Sequence, residues 1–164
     1  MSWVGRRLPR YEDPVLLRGD GRYVADLARG ARIMRFVRSP VARGRILAIK
    51  GPPGVQIVTA ADLGPIKPMC PRLLRPEYIP ITQPILAGAR VTHVGEPIAA
   101  VIADTAAAAE DLAEQVEVEI EAETPVVDFD QALAPGAPLV HEIATNNTVI
   151  DASLETGDVS HAFA

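Results

Sequence analysis

The residue types able to do chemistry are few in this chain and far apart. Its three histidines, His93, His141 and His161, have no partner at i, i+3 or i, i+4, and its single cysteine, Cys70, has no histidine at a recognisable spacing. A nucleophilic site needs a base beside the nucleophile and a metal site needs several convergent ligands, so neither is legible here. Glu117, Glu119, Glu121 and Glu123 repeat every second residue. Paired carboxylates can serve acid–base catalysis, but a row at this period reads as the solvated face of a half-exposed strand. Glu96 differs, because it stands between Gly95 and Pro97 in an apolar run that continues from Ile98 to Ala103. A carboxylate there must reach an edge or find donors, since an isolated buried charge is very costly. Gly95, Glu96 and Pro97 are therefore structural candidates, with a hydrogen bond or ion pair as the expected role of Glu96. No residue is assigned as catalytic, cofactor-binding or metal-ligating.

The elements that must position these groups centre on Val91 to Glu121. Val94 and Ile98 to Ala103 predict a strand buried on both faces. A helix over about 105–116 follows, capped by Asp104 or Thr105, with Ala106, Ala109, Leu112, Ala113 and Val116 on one side and Glu110, Asp111, Glu114 and Gln115 on the other. Val116, Val118 and Ile120 then alternate with the glutamates as a half-buried strand. Upstream, Ala31–Arg38, residues 45–50 and Val55–Val58 read as strands, with Thr59 capping a short helical turn, AADL. The stretch Gly64–Leu86 carries six prolines after Gly64 and predicts a stiff loop, either a rim or channel wall or an inert surface excursion. Gly19 and Gly21 read as a tight turn, and Asp130 as the cap of a short helix ending at Leu133. Asn146, Asn147 and Thr148 match a glycosylation sequon that no secretory signal supports.

At 164 residues the chain can bury the core of one domain, while 15 prolines and 12 glycines imply long connections. The expected organisation is an extended arm over 1–15, a central domain over 16–134 and an extended linker over 135–164. The closing Ala162–Phe163–Ala164 reads as the start of an element whose remainder is absent. No membrane span is expected, nor a signal peptide, and one cysteine agrees with a reducing compartment, so the chain reads as cytoplasmic. Residues 1–50 hold 12 Lys and Arg against 4 Asp and Glu, or +8, while the remainder holds 4 against 17, or −13. Either the halves fold together and neutralise one another, or the arginine-rich start docks on an acidic partner. The basic residues form no stripe and lack aromatic interleaving, which argues against nucleic acid.

Beyond these local readings, an ordered series of segments carries a resemblance. GRRLPRYEDPVLLRGDGRYVADL, RSPVARGRILAI, PGVQIVTAADL, VGEPIAAVIADTAAAAEDLAEQVEVEIE, PVVDFDQAL, APGAPLVHE and the closing GD and AFA together resemble the opening of the molybdenum-binding large subunits of the xanthine dehydrogenase and aldehyde oxidase family. The bacterial branch that includes aerobic carbon monoxide dehydrogenase is the most similar. Two places depart from the family pattern: Val41–Ala42–Arg43 follows Arg38–Ser39–Pro40 without the usual histidine, and IEAETP occupies Ile120–Pro125. The resemblance implies an α+β domain of the hammerhead type, with a mixed sheet, one main helix, the proline-rich loop and extended terminal arms. It also implies a complete enzyme with a molybdenum–pterin cofactor held outside this chain, and iron–sulfur clusters and FAD on companion subunits. This chain would then be a structural and assembly domain beside the substrate channel, inactive alone, with the rest of the large subunit and those companion subunits as partners. Two other readings stand beside it: a stand-alone interaction module with the same fold, and a small enzyme using Glu96 or Cys70.

Overall fold

The computed structural model describes residues 3–28, 30–73, 75–154 and 156–163. The chain divides into two compact units, Met1–Arg32 and Ile33–Ala164. In the first unit, α1 (Asp13–Leu17) carries Pro14 in its first turn, where a missing N–H costs nothing. It ends as Gly19, at φ +75°, lets its N–H reach the Leu16 carbonyl while the Asp20 N–H reaches that of Val15. This paired closure uses the left-handed conformation that glycine tolerates, and it is the turn expected at Gly19. A short helix α2 (Val24–Leu27) follows.

Among the described residues, the second unit holds two three-stranded sheets. In the first, β1 (Ile33–Arg38) and β3 (Ile57–Thr59) flank β5 (Pro97–Ala103); in the second, β4 (Arg90–Val91) and β6 (Glu117–Ala122) flank β2 (Gly44–Lys50). Every pairing within these sheets is antiparallel. The α+β hammerhead class stands, but in place of one mixed sheet there are two antiparallel ones. The reason lies in helix α3 (Ala106–Glu114), which leaves β5 in the first sheet and delivers the chain to β6 in the second. Strand, helix and strand thus span two sheets instead of forming a parallel crossover. Thr105 is the N-cap, its hydroxyl accepting the Ala108 N–H at 3.1 Å.

The continuous apolar run of β5 serves two faces. Ala99 and Val101 point into a cluster with Val37 and Val116, joined by Ile57 and Leu112, whereas Ile98 points into another with Ala87 and Val91, joined by Ile46 and Ile120. Val118 and Ile49 contribute to both clusters, so the inward positions of β6 and β2 weld the two together. The strand begins later than the apolar pattern implied. Val94 is exposed, and Gly95 at φ +83° ends a turn closed by the Glu96 N–H on the His93 carbonyl. Glu96 therefore sits at the mouth of β5, in the turn, and not within the strand.

Two further boundaries move for local reasons. The cap of α4 (Phe129–Leu133) is Asp128, not Asp130, because Asp128 is extended and its Oδ1 accepts the N–H groups of Asp130 and Gln131. Strand β3 starts at Ile57, two residues after Val55. Thr59 caps the 3-10 turn Ala60–Leu63 as expected, and its hydroxyl and N–H both donate to Asp62 Oδ2 at 2.7 Å. These bonds, the hydroxyl first, hold the Asp62 carboxyl below the usual carboxylate range. A carboxylate whose folded-state pKa is depressed supports stability above its unfolded pKa, and that support is lost as pH falls through the folded value. Thr59→Ala is expected to raise the Asp62 pKa toward its ordinary value, read from the pH dependence of its carboxyl carbon resonance.

Strands β2 and β6 approach so closely at Gly44 that a side chain does not fit. A Cβ there would lie 2.5 Å from Ile120 Cγ2, 2.8 Å from the Glu121 carbonyl oxygen and 3.3 Å from Ala122 Cα. Two of these three atoms are backbone, which cannot swing aside. Gly44→Ala is expected to cost about 1–3 kcal/mol through forced strand separation, measured as a lower urea midpoint at unchanged slope.

Candidate functional site

A cleft of about 570 Å3 in the second unit gathers groups that are scattered in sequence. One wall is the proline-rich loop, another is the segment around Val140 and His141, and the floor is the turn from Thr92 to Glu96 with neighbouring Arg90. Four of the chain's candidate chemical groups, Cys70, His93, Glu96 and His141, line it. His161 is placed elsewhere, exposed in the short helix α5 (Val159–Ala162).

The loop that forms the first wall closes on itself. Met69 and Gln83 exchange two backbone hydrogen bonds of 2.8 Å, which bring Cys70 and Pro71 opposite Thr82 and Pro84 across the loop. Its middle is tied down by Tyr78, which forms a bridge with Ile150, and by the Ile79 N–H on the Val149 carbonyl. Prolines every few residues leave few free N–H groups, so a small number of backbone bonds fixes a long segment. Cys70 is exposed on this wall, its thiol 3.6 Å from the Pro71 carbonyl.

The second wall depends on ionic and amide contacts. Arg43 Nη1 donates to the Leu139 carbonyl at 2.8 Å and its Nε meets Glu123 at 3.1 Å. Arg90 bridges Glu123 at 3.1 Å and Glu142 at 2.9 Å. Asn147 accepts the Val140 N–H and donates to the carbonyls of Ala132 and Pro138. Sequence alone marked Asn146 to Thr148 only as a sequon match; the central asparagine is instead the pin of this segment. Two of the glutamates expected on a solvated face are engaged as well, because Arg45 stands opposite Glu121 across β2 and β6 and bonds it through Nε at 3.0 Å. With Arg35 on Glu110 at 2.7 Å, these pairs join the basic first part of the chain to the acidic remainder. The field of each is thereby reduced locally.

Glu96 forms the floor and is 2% exposed. Its Oε2 accepts the Thr92 backbone N–H and, at 3.0 Å, the Thr92 hydroxyl, while His93 Nδ1 lies 3.5 Å away. All of these contacts fall on Oε2. The backbone on either side is fixed by Ser39, whose N–H donates to the Glu96 carbonyl and whose carbonyl accepts the Gly95 N–H. Arg38 adds a bond from Nη1 to the Gly95 carbonyl at 2.8 Å. Gly95 supplies the left-handed position of the turn and Pro97 opens β5, its carbonyl accepting the Ala87 N–H. Thr92 was not singled out by sequence reasoning, and His93 only as a histidine without a partner at helical spacing. The signal available was the spacing Thr92–x–x–x–Glu96 around a glycine that permits the chain to turn back.

Chemically, the arrangement can hold a polar ligand at the carboxylate and bury an apolar body against the loop. A resident metal ion does not fit: among the described residues no group of three or more His, Cys, Asp or Glu is placed to ligate one. Nor, among them, is any helix long and apolar enough to cross a membrane.

Residues 18–124 match the family described as aldehyde oxidase and xanthine dehydrogenase, a/b hammerhead domain. The chain is 35% identical to the nicotine 6-hydroxylase large subunit of Paenarthrobacter nicotinovorans, over 98% of its own length and 21% of that protein. It is 35% identical to the carbon monoxide dehydrogenase large chain of Hydrogenophaga pseudoflava, over 84% of this chain and 17% of that one. The structure of quinoline 2-oxidoreductase from Pseudomonas putida 86 superposes with a TM-score of 0.77 at 32% identity, covering 87% of this chain and 19% of that chain. The present chain thus spans about a fifth of the length of these relatives. On the matched residues and the shared architecture, it belongs to the a/b hammerhead domain family of aldehyde oxidases and xanthine dehydrogenases.

Proposed function

We propose that this chain is the structural and assembly domain of a molybdenum hydroxylase large subunit, flanking the substrate channel and carrying no catalytic group of its own. The observation that supports this reading is the kinship of nearly the entire chain to large subunits of which it spans only about a fifth. Fold alone does not assign chemistry, so the residues must be consulted too. They do not fit the molybdenum centre the family implies, because the cleft offers Glu96, His93, His141 and Cys70 without converging any three of them. The molybdenum–pterin group therefore belongs to the remaining part of the large subunit, and iron–sulfur clusters and FAD to companion subunits. In this arrangement the self-closed proline-rich loop forms a wall of the channel. We assign residues 1–15 as an arm, 16–134 as the domain and 135–164 as the connection toward the pterin-binding part.

Expression of the chain alone and together with the complementary pterin-binding region, followed by pterin quantification, tests the proposal. The expected result is pterin only in the co-expressed complex. Pterin retained by the isolated chain would overturn the assignment, and failure of the two parts to associate would favour a stand-alone interaction module.

A further inference from the structure

The floor of the cleft poses an electrostatic question that the scaffold role does not answer. Glu96 is withdrawn from water almost completely, yet its contacts through Oε2 are to a neutral N–H, a neutral hydroxyl and an imidazole that is charged only when protonated. The guanidinium in the cleft lining, that of Arg90, is committed to Glu123 and Glu142. A buried carboxylate without a fixed counter-ion costs several kcal/mol unless a positive group approaches it. Its Oε1 takes none of the described contacts, and the residue lines the cleft. The walls facing it are largely apolar, contributed by Met69, Pro71, Ile81, Pro84 and Val140.

We propose that this cleft binds a small organic cation, a primary or secondary ammonium that donates to Glu96 Oε1 while its apolar body packs against the proline-rich loop and Val140. A strongly hydrated inorganic cation gains little from such walls and finds no ligand set. A concave site of this size, with a largely apolar surface and a few polar groups, Glu96 among them, is the usual form of a small-molecule site. The proposal goes beyond the scaffold role and stands or falls on the isolated chain, so its outcome is separate from that of the pterin experiment.

The test uses the 164-residue chain, with benzylammonium and its neutral isostere benzyl alcohol as probes, followed by amide shifts of the Thr92–Glu96 turn. Saturable binding of benzylammonium at millimolar concentration is expected, roughly tenfold tighter than benzyl alcohol. Glu96→Gln keeps an acceptor for Thr92 and should abolish the preference for the cation. Ile81→Trp fills the cleft from the loop side without touching Glu96 or its bonds, and should weaken both probes. Equal affinity for the two probes, absence of saturable shifts with benzylammonium, or undiminished binding by a folded Ile81→Trp chain would each overturn the proposal.

Discussion

Glu96→Ala is expected to destabilise the chain by about 2 kcal/mol, because it removes the acceptor for two donors at once. The Thr92 N–H and hydroxyl both end on Glu96 Oε2, beneath a residue that is nearly inaccessible to water. Truncation leaves these donors facing a pocket too apolar to replace the bonds well. The turn would loosen with them, since it is the Glu96 side chain that reaches back to residue 92 while Gly95 holds the left-handed position. Glu96→Gln should cost less than about 1 kcal/mol, as the amide oxygen can accept in the carboxylate's place. Urea unfolding of the two variants separates these cases. Equal losses for Ala and Gln would mean that negative charge, and not hydrogen-bond acceptance, fixes the turn.

The second large effect is expected at Ile98, two residues along the chain. Ile98→Ala should cost about 3 kcal/mol, the lost transfer energy of the side chain plus the cavity it leaves. Ile98 is fully buried between Ala87 and Val91, and partly buried Val41, Ile46 and Ile120 close around it. Most of these neighbours lie on strands fixed by pairing, so the site has little freedom to collapse. For a domain whose total stability is of the order of 5–15 kcal/mol, such a loss is large. Thermal unfolding by circular dichroism measures it, and a change below about 1 kcal/mol would show that the second cluster relaxes to fill the space.

Both residues belong to one short segment, and together they explain how the fold supports the cleft. Ile98 anchors the start of β5 on the apolar cluster, Pro97 bonds the segment leading to β4 through its carbonyl, and Glu96 turns its carboxylate back to Thr92. Loss of either anchor should therefore disturb the cleft floor before the distant half of the sheet. The proposed domain role and the proposed ligand role would draw on the same stiffness, since a channel wall and a binding cleft each need a fixed floor.

What could be read in the sequence was whatever depends on local periodicity. The doubly buried β5, the presence of α3 with its cap at one of Asp104 and Thr105, the alternation of β6 and the turn at Gly19 all follow from side-chain spacing and backbone permissiveness. The order of the segments along the chain was sufficient to indicate the hammerhead family. Boundaries were less legible where two residues compete for one role. Asp128 and Asp130 are both capable caps, and only the extended backbone at Asp128 decides between them. Val94 is apolar and adjoins an apolar run, yet the glycine turn after it points it to solvent.

The sequence by itself determined most of the elements and the family. The tertiary structure alone decided that β5 and β6 part company into two antiparallel sheets, because a helix can return the chain to either sheet with the same local pattern. It alone also brought Cys70, Glu96, His93 and His141 to one cleft. Their placement along one cleft rests on bonds between distant residues, Met69 with Gln83 and Arg43 with Leu139, which no local periodicity registers.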